Sequence, residues 1–167
     1  MTKGQSLKRK IIMSNSISVS FSDEPPGSID PAQVENFVSE VLKDLKHQNW
    51  DVSLFFCGDD FIQSLNKRYR DIDSPTDVLS FEQGDEYFDE MDEKRFMAGD
   101  IVISIDSLLF NAKEFNVEIN DELKRLIVHG VLHLSGMDHS DNSPEQKMLK
   151  FQEELLSKYK NTVIYRG

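Results

Sequence analysis

The stretch His129-Gly-Val-Leu-His133-Leu-Ser-Gly136-Met-Asp138-His139 dictates how this chain must fold. Histidines four apart project from one face of an α-helix, one turn above the other. That spacing suits two imidazole nitrogens on one metal ion. Gly136, three residues after the second histidine, suits a helix that ends on a left-handed residue and turns sharply. The turn brings His139 back as a third ligand. Three neutral nitrogens with one position left for water form the donor set of a catalytic zinc site, whereas structural zinc is normally enclosed by four protein ligands.

The spacing is that of the metzincin signature H-E-x-x-H-x-x-G-x-x-H, with Gly130 in place of the glutamate. In metalloproteases that glutamate is the general base, a task glycine cannot perform. The bland alternative is two helix-surface histidines and one in a loop. Against it, three of the chain's four histidines fall in this stretch, with the glycine where the signature requires it.

At 167 residues the chain is expected to form one domain with a core that needs no staples. Hydrophobic content of 38% and charged content of 29% suit a soluble globular protein. No apolar run approaches the roughly 20 residues of a membrane span, and the N-terminal stretch lacks the apolar core of a signal peptide. Cys57 is the only cysteine, so no intramolecular disulfide is possible, and a cytoplasmic location is expected. The net charge of −11 argues against broad nucleic-acid binding, so any RNA surface must be local. Lys67, Arg68 and Arg70 form one basic cluster, and Lys124 with Arg125 another.

In chain order, residues 1–14 read as a flexible basic leader, 15–160 as the metal-binding domain and 161–167 as a short tail. Ile17, Val19 and Phe21 alternate with serines as a half-buried strand does. After a Pro-Pro-Gly break at 25–27, Asp30-Pro31 offers an N-cap and a first-turn proline to a helix whose stripe is Val34, Phe37, Val38, Val41, Leu42 and Leu45. His47 falls at its end, where a cation suits the helix dipole. Residues 52–57 make a second strand, with Cys57 as a buried core residue. A short helix behind Gly58-Asp59-Asp60 ends at Arg68-Tyr69-Arg70. A turn-rich loop leads to a third strand at 78–81. The acidic run 82–97 reads as a long exposed loop. Residues 101–105 form a fourth strand, Asp106 caps the next helix, and Asn120 caps the metal helix. A capping box at 143–146 starts the last helix, whose stripe is Met148, Leu149, Gln152, Leu155, Leu156 and Tyr159. The order predicts an α+β single domain: a mixed four-stranded sheet with helices packed on it and a zincin-like metal helix near its middle.

Leu65-Asn-Lys-Arg-Tyr-Arg70, Pro75-Thr-Asp-Val-Leu-Ser-Phe81, Gly99-Asp-Ile-Val-Ile-Ser104 and the whole of 129–139 resemble the YbeY-type rRNA endoribonucleases, block for block and in the same order. The resemblance implies a metal-dependent, single-strand-specific endoribonuclease that matures the 3′ end of small-subunit rRNA and takes part in ribosome quality control. It implies one Zn2+, or another divalent transition metal, on His129, His133 and His139. It also implies a functional role for Arg70. The expected partners are single-stranded RNA and the ribosome or ribosome-associated proteins, with neither DNA nor a membrane.

The chemistry fits that expectation. A guanidinium offers a planar fork of donors to the phosphoryl oxygens where negative charge gathers, and Arg70 is the candidate for it, against its reading as a surface arginine ending a helix. Asp138, beside His139, either orients a ligand, accepts a proton or satisfies backbone donors in the turn. Two other readings compete. One is a zinc metallopeptidase-like hydrolase with a substitute for the missing glutamate. The other is a non-catalytic ribosome-binding module whose zinc is closed by a fourth ligand such as Cys57 or His47.

Overall fold

A computed structural model describes residues 14–23, 28–138 and 146–167. The leader at 1–13, the break at 25–27, His139 and positions 143–145 of the capping box lie outside the described residues. Strands β1 (Ser16–Phe21), β2 (Trp50–Cys57), β3 (Val78–Phe88) and β4 (Lys94–Ser104) form one sheet in the order β1-β2-β4-β3. β1 and β4 run parallel to β2, and β3 returns antiparallel to β4. Helix α1 (Pro31–Asp44) supplies the crossover that a parallel β1–β2 pair needs. The mixed four-stranded sheet expected from the sequence is therefore the one that forms.

Alternation along the strands sorts the core into two layers. Val52, Leu54 and Phe56 of β2 join Ile101 and Ile103 of β4 on one face. They meet Val34, Phe37, Val38, Val41 and Leu42 of α1, the apolar side of α4 (Ile119–Leu134), and Met148 and Leu155 of α5 (Lys147–Ser157). Phe55, Cys57 and Val102 point the other way, with Leu79 and Phe81 of β3, onto Ile62 and Leu65 of α2 (Asp59–Arg70). Helix α3 (Ile105–Glu114) follows β4 directly and anchors through Leu108. Helix α4 is the most deeply set helix: Leu123, Ile127, Val128, Val131 and Leu132 have no exposed surface. At about 1.5–3 kcal/mol per buried aliphatic side chain, that stripe fixes the rotation of the helix about its axis.

Three local readings of the sequence are corrected. Residues 82–97 are not a loop but most of a β3–β4 hairpin, whose two strands run to eleven residues each. The run carries seven carboxylates and little periodicity, which hides a strand from propensity. Cross-strand partners hold it instead. Lys94 pairs with Glu86 at 3.0 Å, while Arg95 grips Asp51 of β2 at 2.7 Å and Tyr87 donates to the same carboxylate. Asp106 does not cap α3. Ser104 is the N-cap, accepting from Ser107 N, and Asp106 instead accepts from the backbone of Asp59. Asn120 does not cap α4, whose N-cap is Glu118. Its side chain accepts from Ile164 N and Tyr165 N and donates to Thr162 O. His47 closes the end of α1 as expected, its N donating to Leu42 O at 2.9 Å, and its ring stacks on Trp50 with Nε2 3.1 Å from Ser135 Oγ. The 161–167 stretch is held to the body by the Asn120 bonds, by a bridge from Tyr165 to Ile29 and by buried Ile164.

Gly99 is obligatory. Its φ is +143°, and a Cβ there would come within 2.0 Å of Phe81 O, at the point where both neighbouring ladders shift register.

Candidate metal centre

Helix α4 carries His129 and His133. Asp121 and Glu122 sit in its first turn, where negative charge suits the helix dipole. The helix closes with Gly136 N donating to His133 O at 2.9 Å and Met137 N to Leu132 O at 3.1 Å, while Gly136 adopts φ +89°. This is the paired C-terminal lock that a left-handed glycine permits. It redirects the chain at the point where His139 follows.

His129 and His133 are half-buried, and their Nε2 atoms are 3.1 Å apart. Two ligands bonded at about 2.0–2.1 Å to one tetrahedral ion lie roughly 3.3 Å apart, so the pair is already spaced as ligands are. Nδ1 of His129 is 2.7 Å from Oε1 of Gln152 on α5, a side chain only 4% exposed. In the sequence Gln152 belongs to the apolar stripe of the last helix, and nothing in its neighbours marks it as a partner of His129. The available signal was a polar residue four positions after buried Met148 and three before buried Leu155.

The histidines open onto a cleft of about 510 Å3 that Arg70, Thr76, Asp77, Ser80, Glu82 and Asp138 also line. Arg70 and Asp138, named from sequence alongside the histidines, thus share one cavity with them. Arg70 is the last residue of α2, before Asp71 in the left-handed region. Two bonds from α2 hold the loop that follows: Gln63 Nε2 to Asp73 Oδ1 at 3.0 Å, and Asn66 Nδ2 to Ser74 O at 2.9 Å. Asp77 is oriented by Asn111 Nδ2 at 3.1 Å. Lys67, Arg68, Tyr69 and Arg70 are all exposed on this last turn.

The second basic cluster is not brought to the cleft. Lys124 is 3% exposed, and its Nζ donates to Tyr159 O at 2.8 Å. Arg125 forks onto Glu153 at 2.9 Å and also reaches Glu122 at 3.2 Å. Burial raises the Glu122 carboxyl above its ordinary value although Arg125 opposes the shift. Both cations fasten α5 and the residues just after it to α4.

Neither candidate fourth ligand lines the cleft among the described residues. Cys57 packs on the α2 side of the sheet, donating to Ile103 O, and α4 covers the opposite side. Burial, then the Asp106 and Asp59 carboxylates, push its thiol up to about 11, which disfavours the thiolate a metal needs. Position 130, where a peptidase carries its glutamate, faces the sheet: a Cβ there would sit 2.9 Å from Ile101 Cγ2.

Comparison with known proteins gives a consistent result. A family model described as Endoribonuclease YbeY matches residues 19–160. A Treponema denticola protein named Endoribonuclease YbeY is 82% identical over 154 residues, which cover 92% of this chain and 99% of its own length. A Treponema pallidum (strain Nichols) protein of the same name is 51% identical over 127 residues, covering 76% and 79% of the two chains. A Thermotoga maritima protein solved in solution superimposes with a TM-score of 0.53 at 28% identity, covering 86% of this chain and 91% of its own.

Proposed function

The chain belongs to the YbeY endoribonuclease family, and from that premise we propose a metal-dependent, single-strand-specific enzyme acting in 3′-end maturation of small-subunit rRNA, with its metal on His129, His133 and His139. Its likeness to the Treponema denticola protein along nearly the whole of both chains makes it an endoribonuclease, a hydrolase of RNA phosphodiesters. The finer reading rests on one observation: the facing Nε2 atoms of His129 and His133 open onto the same cleft as Arg70.

The donor set fits a divalent cation, zinc or a neighbour, because neutral imidazoles suit such metals and His129 is held at its far nitrogen. Such an ion supplies Lewis-acid charge and makes water a competent nucleophile near neutral pH. The protein's own part is positioning and charge. In this reading Arg70 presents its guanidinium to the phosphoryl oxygens as negative charge builds there. The exposed Lys67 and Arg68 beside it give an acidic protein the local attraction that RNA needs. Asp138 supports the turn beside His139. Ribosomal RNA, in the cytoplasm and with ribosome-associated proteins, is the proposed substrate. No helix among the described residues is long and apolar enough to cross a membrane.

Two rival readings lose ground on geometry. A peptidase-like hydrolase needs a base that position 130 has no room for, and a closed structural site needs Cys57 or His47, which lie elsewhere. The test is a substrate comparison with metal-loaded and chelator-stripped protein on a short single-stranded RNA, its duplex and an unstructured peptide. Cleavage of the single strand alone, lost with the chelator and restored by metal, is expected. Peptide cleavage, or RNA cleavage indifferent to the chelator, overturns the reading.

A further inference from the structure

We infer that Gln152 is the positioning residue that sets the tautomer of His129, and that α5 is clamped to α4 to present it. The inference rests on the metal reading above but concerns a side chain outside the ligand set. Gln152 is 4% exposed, so its amide has left water and must be satisfied by protein. Its Oε1 lies 2.7 Å from His129 Nδ1, and a carbonyl oxygen can only accept there. Nδ1 therefore carries the imidazole proton, and the lone pair of the neutral ring sits on Nε2. That nitrogen faces His133 Nε2 at 3.1 Å. A flipped amide would donate to Nδ1, place the proton on Nε2 and turn the metal-facing nitrogen into a donor. One amide orientation thus decides whether His129 can be a ligand.

The surroundings hold α5 where it presents Gln152 to His129. Met148 and Leu155 bury the same face of α5 on either side of Gln152. Arg125, one turn before His129, holds Glu153, the neighbour of Gln152, and buried Lys124 holds Tyr159 O beyond the end of α5. A glutamine rather than a glutamate fixes the tautomer without adding a buried negative charge beside the histidine pair.

Two readouts test this on the full chain. Nitrogen-15 NMR of the metal-stripped wild type is expected to show His129 protonated at Nδ1, and protonation at Nε2 overturns the inference whatever the protein's metal affinity. Zn2+ affinity, measured by competition with a chromogenic chelator, is expected to fall about 10–100-fold in Gln152→Leu. It should be retained in Gln152→Glu, which keeps the acceptor. Unchanged affinity in a folded Gln152→Leu protein sinks the inference while leaving the metal site standing. A wild type that binds no Zn2+ removes the metal site, and the nitrogen-15 tautomer then decides the inference alone. If Gln152→Leu does not fold, the wild-type tautomer and the Gln152→Glu affinity still decide.

Discussion

A Cβ on Gly130 would lie 2.9 Å from Cγ2 and 3.0 Å from Cδ1 of Ile101, so α4 rests on β4 through a glycine. Ile101 is itself without exposed surface and sits on a strand paired along both edges. The residue that a peptidase would use as its base is thus the contact that lets the histidine helix approach the sheet.

Gly130→Ala tests that contact. Alanine gains about 0.8–1 kcal/mol in helix propensity, but overpacking a closed core typically costs about 1–3. A net loss of up to roughly 2 kcal/mol in urea unfolding is expected. A more stable Gly130→Ala protein would show that the helix has slack over Ile101.

Arg70 stands at the exposed end of α2, so its replacement should spare the fold and the metal content. Arg70→Glu is expected to slow single-turnover RNA cleavage by about 100–1,000-fold, because a carboxylate repels the phosphate. Arg70→Lys should fall between, keeping charge without the fork. Equal rates for all three remove Arg70 from the mechanism.

Burial holds the His47 imidazole below its ordinary 6.5. Between the folded and unfolded values the unfolded chain binds more protons, so stability falls as pH drops below about 6.5 and is restored above it. His47→Gln should therefore lose less of its urea midpoint than the wild type between about pH 7.5 and 5.5. Identical acid losses would show that His47 does not contribute.

Asn120 makes three hydrogen bonds to the 162–165 backbone. Asn120→Ala is expected to cost about 1–3 kcal/mol and to expose the C-terminal stretch to carboxypeptidase. Wild-type protease resistance in that variant would mean that Ile164 and the Tyr165 bridge suffice.

Periodicity revealed most of the core. The alternation in β1, the stripe of α1 and the Asp30 cap needed nothing beyond neighbouring residues, and each stands in the structure. The errors share a cause: partners distant in sequence. The 82–97 hairpin depends on Asp51, some thirty residues or more before it, and Asn120 serves a backbone more than forty residues on. At the site, four-residue spacing placed His129 and His133 on one face, and Arg70 and Asp138 join their cleft. Gln152 was invisible as a functional residue because its partner lies on another helix, and a lone glutamine in an apolar stripe resembles filler.

If RNA cleavage occurs on a metal held by the histidines of α4, His133→Ala removes both at once. Elemental analysis and single-turnover cleavage of a short single-stranded RNA would be measured on the same preparation, with Cys57→Ser as the control that keeps both. His133→Ala is expected to lose bound metal and cleavage together. Stoichiometric metal in an inactive His133→Ala protein, or undiminished cleavage without metal, would contradict it.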